Sequence, residues 1–579
     1  MGSYLCRETE KPCEQVHEQH FPMYLVKVAD FLQMQGPPEP HHLLKQQNLL
    51  HEWSPGMLTI FVSHQWLGAT LPDPKGQQLA VLRNALVRMI EGSLSVDHDL
   101  VSMRPGAESL PAAIRSRLST GYIFLDWFAI PQLTARQEGT NEDRTQTDAA
   151  LAIQSIPAYV EVADVFVALV PELTHMDTGM PCNYRSWLSR GWCRAELWCH
   201  LLSNKPDTSV ILVFSAREAE FMSPLNWQRH TVAEGDFTVE RDREVVVKLG
   251  EAAVESKIQH LSRVGPLSHC RFYMAHRPKL LGQARQHLDL HTFLSHYRFP
   301  SLRKALEEVD KMTPLLCALF AGDVQMVRSL IELKADVNAK LSGLGELGYF
   351  NGQTPLMAAA KSYQEPEMLV TLAELRADVN AVSGAGVNAA YLVRTPAQVQ
   401  VLLEARADMH SPCVWSGLTP LTGAASMADP QTVKALLMAR CAVNPSLVGM
   451  GYTPLHGLVL FSRANRHAEE TARMLLAHRA DLNTQARCEG TFGWICKAST
   501  AYVSFMGYES RSMPVRFFAS LKGLTPLGLA ALVGDKGLTR LFLEQGAEMT
   551  PNARGDGPEE LARANEHLHL LPMLATFHV

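Results

Sequence analysis

No stretch of the chain approaches the roughly 20 consecutive apolar residues that a membrane helix needs; its longest apolar runs, such as 165–170 and 210–214, are far shorter. No apolar signal-peptide core follows Met1. The start Met1-Gly2-Ser3-Tyr4-Leu5-Cys6 has the form of a myristoylation signal, but Cys6 stands where Ser or Thr is expected. No dense basic run occurs either, and 53 Lys plus Arg against 59 Asp plus Glu leave a net charge of −6. That balance excludes nucleic acid and anionic membrane surfaces as expected partners, since both demand concentrated positive charge. The 11 cysteines show no regular pairing distances, which in so long a chain points to reduced thiols and not to a disulfide framework. A soluble, cytoplasmic protein without an integral membrane segment is expected.

Several catalytic signatures are missing. There is no Walker phosphate loop, no Gly-x-Gly-x-x-Gly after the first strand and no Gly-x-Ser-x-Gly elbow, which removes the ordinary nucleotide hydrolases, dehydrogenases and α/β-hydrolases. His17-Glu18-Gln19-His20 has the wrong spacing for a zincin. Cys6, Cys13, His17 and His20 lack a Cys-x-x-Cys pair, so the terminus reads as a mobile polar segment; no metal and no resident cofactor are expected.

What is present begins with repetition. A length of 579 residues predicts three to four domains, or fewer if one is an extended array. Thr-Pro-Leu recurs at Thr313, Thr354, Thr419, Thr453 and Thr525, each followed by a helix-periodic stretch ending in an Ala-Asp-Val-Asn-like tetrad. Thr caps a helix through its hydroxyl, Pro suits the first helical position, and Leu turns into the core between helices. This pattern, best seen in Gly451-Tyr452-Thr453-Pro454-Leu455-His456, resembles the ankyrin repeat, a turn plus two antiparallel helices stacked into an all-α solenoid. The resemblance covers 312–579, with about six units. The unit at 385–411 lacks Thr-Pro-Leu at its start. An insertion at 486–522 carries Phe492, Trp494, Tyr502, Phe505 and Tyr508, as either an exposed binding loop or a decayed repeat with aromatics in its core. Such arrays imply protein partners bound through the surface formed by their turns and first helices.

Upstream the period changes to apolar runs alternating with helical segments. Strands are predicted at 58–62, 122–125, 165–170 and 210–214, with helices at 77–91, 149–163 and 190–203. Strands apolar throughout and separated by helices imply a parallel sheet covered on both faces, with a ligand crevice beyond the carboxyl ends of the strands. That places Ser63, His64, Gln65 and Trp66 after the first strand and Asp126 and Trp127 after the second, as candidate binding residues. In Trp192-Cys193-Arg194-Ala195-Glu196-Leu197-Trp198-Cys199-His200, a helix puts Trp192, Glu196 and His200 on one face. A carboxylate in a partly dry crevice has its proton affinity raised and is poised for polar chemistry. The alternative is a core helix whose Glu196 pairs with Arg190 or Arg194.

The order Phe61-Val62-Ser63, Phe124-Leu125-Asp126, Ala152-Ile153-Gln154-Ser155 and Ser189-x-x-Trp192-Cys193-x-x-Glu196-Leu197 resembles the Toll/interleukin-1 receptor (TIR) domain over 57–215. The resemblance implies an α/β flavodoxin-like fold of five parallel strands. It also implies that Glu196 is the candidate catalytic carboxylate and Trp192 the nicotinamide-side stacking residue of a site that cleaves the nicotinamide–ribose bond of NAD as substrate. Family members that act purely as assembly modules imply a second outcome, an adaptor that self-associates through this domain. His64 and Gln65 replace the family's aromatic-Arg pair. The expected organisation is thus an N-terminal extension (1–56), a TIR-like domain (57–215), a helical connector (216–311) and the repeats (312–579).

Overall fold

The computed structural model describes residues 18–94, 96–97, 110–132, 142–205, 207–222, 231–307, 311–413, 415–445, 448–508 and 512–576. Cys6, Cys13, His17 and the Met1 to Cys6 start lie outside them.

Among the described residues of the N-terminal half lie ten strands: β1 (Tyr24–Lys27), β2 (Leu50–Glu52), β3 (Thr59–His64), β4 (Val96–Asp97), β5 (Tyr122–Leu125), β6 (Val165–Leu169), β7 (Leu173–Thr174), β8 (Pro181–Cys182), β9 (Val210–Ser215) and β10 (Glu218–Phe221). Eight form one sheet in the order β2-β1-β5-β3-β6-β9-β10-β4, and β7 and β8 make a separate ribbon. The four runs legible in the sequence, β5, β3, β6 and β9, are its parallel centre. The sheet as a whole is mixed, because β1 and β10 join it antiparallel. Residues 24–27 and 50–52, expected within an extension preceding the domain, therefore pair into the sheet, and β10 does so from beyond its expected end at 215. Three or four residues that include a charged side chain, as in each of these strands, give too little periodicity to be read as strands.

Side chains alternate across a strand. Phe61, Phe124 and Phe166 stack on one face, with ring centroids 4.6 and 5.3 Å from Phe61. They pack beneath the helices Ile156–Val162 and Gly191–Leu201. Ile60, Val62, Ile123 and Leu125 point the other way, toward the helix Gln77–Glu91. Both faces are buried, which explains the uninterrupted apolar runs.

In the C-terminal half, Thr313, Thr354, Thr419, Thr453 and Thr525 each accept a hydrogen bond from the amide three residues on, with Pro at the first helical position. Asp323, Asp429 and Asp535 cap second helices in the same way. The tetrads form a ladder along the stack: Asn338 Oδ1 accepts from the Asp378 amide (2.8 Å), Asn380 from Asp408 (2.7 Å) and Asn444 from Asp481 (2.9 Å).

That ladder decides the fate of the insertion. Asn483 Oδ1 accepts from the Glu548 amide at 2.9 Å, and His456 Nε2 meets the Leu524 carbonyl at 2.9 Å, so the unit at 453 stacks directly on the unit at 525. The insertion is a looped-out helix pair, Gly490–Met506 and Met513–Ser520. Trp494 (75% exposed) and Phe505 (88%) face solvent. The core of the pair is Cys496, Val503, Phe517 and Phe518 instead.

Two helices bridge the halves. Asp242–Arg263 packs against Gly191–Leu201, and Leu267–Leu280 packs against the first repeat helix Pro314–Ala321. The array also returns to the sheet: Arg463 Nη1 meets Glu218 Oε1 at 2.6 Å while its guanidinium lies over the Phe214 ring, and Arg185 meets Asp535 at 3.1 Å. No helix among the described residues is long and apolar enough to cross a membrane.

Candidate functional site

Period-2 alternation at the carboxyl end of β3 splits neighbouring residues between two helices. Ser63 follows Phe61 to one face and meets the helix Gly191–Leu201. His64 follows Val62 to the other and meets the helix Gln77–Glu91. The Ser63 hydroxyl donates to Glu196 Oε2 at 2.5 Å and accepts from the Trp187 indole N–H at 3.0 Å. His64 Nε2 lies 2.9 Å from Asp126 Oδ1, and its Nδ1 lies 2.9 Å from Gln78 Oε1. Asp126 begins the short helix after β5 and also accepts from the Trp66 indole (2.9 Å) and the Trp127 amide (2.6 Å). Two pairs, Ser63–Glu196 and His64–Asp126, thus sit side by side at the ends of β3 and β5.

Their electrostatics oppose each other usefully. Burial pushes the Glu196 carboxyl up to about 8, outweighing the Ser63 hydrogen bond, and the nearby Asp126 charge adds to the rise. For His64, burial alone would lower the pKa, but the Asp126 charge and the hydrogen bonds to Asp126 and Gln78 lift it to about 8. Asp126 is held below its usual value because the His64 charge and its three hydrogen bonds outweigh burial. At neutral pH the site therefore holds an imidazolium–carboxylate pair beside a protonated, partly exposed Glu196.

The alternative pairing of Glu196 with Arg190 or Arg194 does not occur. Arg194 donates to the carbonyls of Leu188 (2.6 Å) and Thr231 (2.8 Å), and Arg190 donates to Thr238 (2.7 Å). The expected sharing of one face by Trp192, Glu196 and His200 resolves differently. The Trp192 indole donates to Asp242 at 2.9 Å, and His200 is buried, stacked on Phe166 and bonded to the Ser209 carbonyl. Neither hydrogen-bonds to Glu196. Gln65 borders the cluster, its side chain accepting from Ser186 at 2.6 Å, and Trp127 supports Trp66 edge-on, ring centroids 5.4 Å apart.

Two members escaped the sequence reading. Gln78 had a signal, a polar residue on the helix face shared with Leu82, Ala85 and Met89. Trp187 had none, since nothing in its local pattern distinguishes a core indole from one aimed at Ser63. No cluster of three metal-ligating side chains occurs among the described residues.

Comparison with known proteins bears on the other half of the chain. The family of ankyrin repeats matches residues 284–383 as three copies, and the single ankyrin repeat matches 450–487. The C-terminal half carries ankyrin repeats. The match begins at 284, so ankyrin-related sequence reaches back into the expected connector, where the helices Leu290–His296 and Leu302–Glu307 precede the first Thr-Pro-Leu. A solved structure described as the human ASB11 ankyrin repeat domain is similar at 20% identity with a TM-score of 0.31, covering 45% of this chain and 97% of that one. No curated protein matches the chain significantly.

Proposed function

We propose that the ankyrin array binds partner proteins and that the N-terminal sheet is a TIR-like domain cleaving the nicotinamide–ribose bond of NAD with Glu196. The observation that carries the enzymatic part is the position of Glu196: paired with neither Arg190 nor Arg194, raised to about 8, and held by Ser63 at the end of the first central strand. The central order β5-β3-β6-β9 supports the fold, being second-first-third-fourth among the parallel strands. That is the flavodoxin-like order, whose switch point falls between β3 and β6, where Ser63 and His64 end their strand. The domain division at 57–215 belongs to the same proposal, widened by β1, β2 and β10. So does a cytoplasmic location.

In this reading a pyridinium cation bound beside Glu196 expels its proton, because an adjacent positive charge favours the carboxylate. As the C–N bond to ribose breaks, the bonding electrons leave with neutral nicotinamide and positive charge develops on the ribose. The Glu196 carboxylate stabilises that oxocarbenium-like centre. Water then adds and releases a proton, giving ADP-ribose. Asp126, Trp66 and Gln65 line the approach, Trp127 is buried behind Trp66 with its indole N–H on the Pro38 carbonyl, and the His64–Asp126 pair fixes the geometry of the strand ends.

A second reading has its own observation. The Ser63 hydroxyl already occupies Glu196 Oε2, an arrangement that also serves a non-catalytic module which only self-associates while the array recruits partners. The test is nicotinamide release from NAD by the purified full chain, beside Glu196→Ala and Glu196→Gln. Turnover in the wild type that both variants lose supports the enzyme. Turnover persisting in both removes Glu196 from the chemistry, and none even in oligomerised protein leaves the adaptor.

A further inference from the structure

A cavity of about 400 Å³ lies between the bridging helix Leu267–Leu280 and the inner surface of the ankyrin array, remote in sequence from the strand ends. That volume is in the range of small-molecule sites. Its charge is lopsided: Lys279, Lys361 and Arg394 line it, against Glu234 alone among acidic residues.

Arg394 is the decisive member. It is only 5% exposed, yet its guanidinium donates to the Val393 carbonyl (3.1 Å) and approaches the Met427 sulfur (3.9 Å), with no carboxylate pairing with it among the described residues. A buried guanidinium lacking an anion is costly, because desolvation is not repaid by a counter-charge. His276, 4% exposed, leaves Nδ1 without a hydrogen-bond partner among the described residues at the same wall. Burial pushes its pKa down to about 3, so the ring is neutral. Lys279 is bonded to the Tyr363 carbonyl, and Lys361 lies 4.8 Å over the Tyr349 ring.

Five aromatic rings, those of Tyr349, Phe350, Tyr363, Tyr391 and Phe461, join aliphatic and small side chains in the rest of the lining. Three cations facing flat apolar rings call for an anion attached to a planar group. Because Thr231, Glu234 and the bridging helix close one side, the space suits a small molecule better than a continuous chain.

We propose that this cavity binds a small phosphomonoester bearing a planar ring, its phosphate on Arg394 and Lys361 and its ring among the tyrosines. The site is independent of the Glu196 proposal.

Calorimetric titration of the full chain with AMP, adenosine and inorganic phosphate tests it. AMP binding at least tenfold tighter than either fragment, weakened tenfold or more in Arg394→Gln and in Lys361→Gln and unchanged in Glu196→Ala, is the expected result. Lys361→Gln guards against misfolding of the Arg394 variant, since Lys361 is less enclosed. No AMP binding, adenosine binding as well as AMP, or affinity unmoved by both substitutions overturns the proposal.

Discussion

Replacing Glu196 with glutamine should make the protein more stable, and the size of the gain follows from the site. An unfolded Glu titrates near 4.5, whereas in the fold burial raises Glu196 to about 8. At pH 7 the unfolded chain gains from ionising a group that the fold holds protonated. Over the 2.5 units between 4.5 and 7 this linkage amounts to about 3 kcal/mol. Partial exposure of the side chain brings the figure to about 2 kcal/mol. Glutamine keeps the shape and an oxygen that accepts from Ser63, but does not ionise in the unfolded state. The sign is set by a raised folded pKa: stability is complete below about pH 4.5 and is lost as pH rises through 8. His64, raised from 6.5 to about 8, adds a slope of the same sign in both proteins; because burial is outweighed mainly by Asp126 and Gln78 and the Glu196 charge comes last, most of that slope cancels in the difference curve. Thermal unfolding from pH 4 to 9 should show the variants coinciding at the acid end. At pH 7, Glu196→Gln should melt about 4–8 °C higher for the sheet domain. A variant equally or less stable at every pH would refute the desolvated carboxyl.

Two further outcomes concern the array and its contact with the sheet. Glu218→Gln leaves Arg463 facing an uncharged partner in a contact where the side chains are only 20% and 22% exposed, and should destabilise by about 2 kcal/mol. Pairing it with Arg463→Met should cost less than the sum of the two singles; a single-variant effect below about 0.5 kcal/mol would mean that the contact does not hold array and sheet together. Arg406, at φ 61° before its Ala-Asp tetrad, sits where Gly546 serves the last unit at φ 82°. Arg406→Gly should stabilise by about 0.5–1 kcal/mol, the left-handed strain released less the added chain entropy, and a fall in melting temperature would refute this.

How much of the fold was legible depended on how local its cause was. Thr-Pro-Leu and the Ala-Asp tetrads encode caps and turns within four residues, so the repeats could be read directly. The tetrad asparagine also reports stacking across units, but only once its partner is known. Asn483 bonding Glu548, 65 residues away, showed the insertion to be outside the stack, and no local pattern contains that separation. Strands β1, β2, β4 and β10 failed for the opposite reason: they are short, and pairing with neighbours fixes them more than their own sequence does.

The candidate site divides along the same line. The apolar run 58–62 and the rule that crevices form beyond strand ends were enough to nominate Ser63, His64 and Asp126. Period-2 alternation already required Ser63 and His64 to face opposite sides of the sheet. What it could not supply was which helix stands on each side. The helix bearing Glu196 covers the phenylalanine face, so Ser63 and not His64 binds the carboxyl, and His64 is left to Asp126 and Gln78. The helical spacing that grouped Trp192 with Glu196 overstated their kinship. Trp192 lies one turn nearer the bridging helix Asp242–Arg263, and its indole is claimed there by Asp242. The chemistry of the site therefore comes from two adjacent strand residues sent to opposite faces, and an acid and an imidazolium can persist side by side because burial keeps the proton on Glu196 while the Asp126 carboxylate neutralises His64.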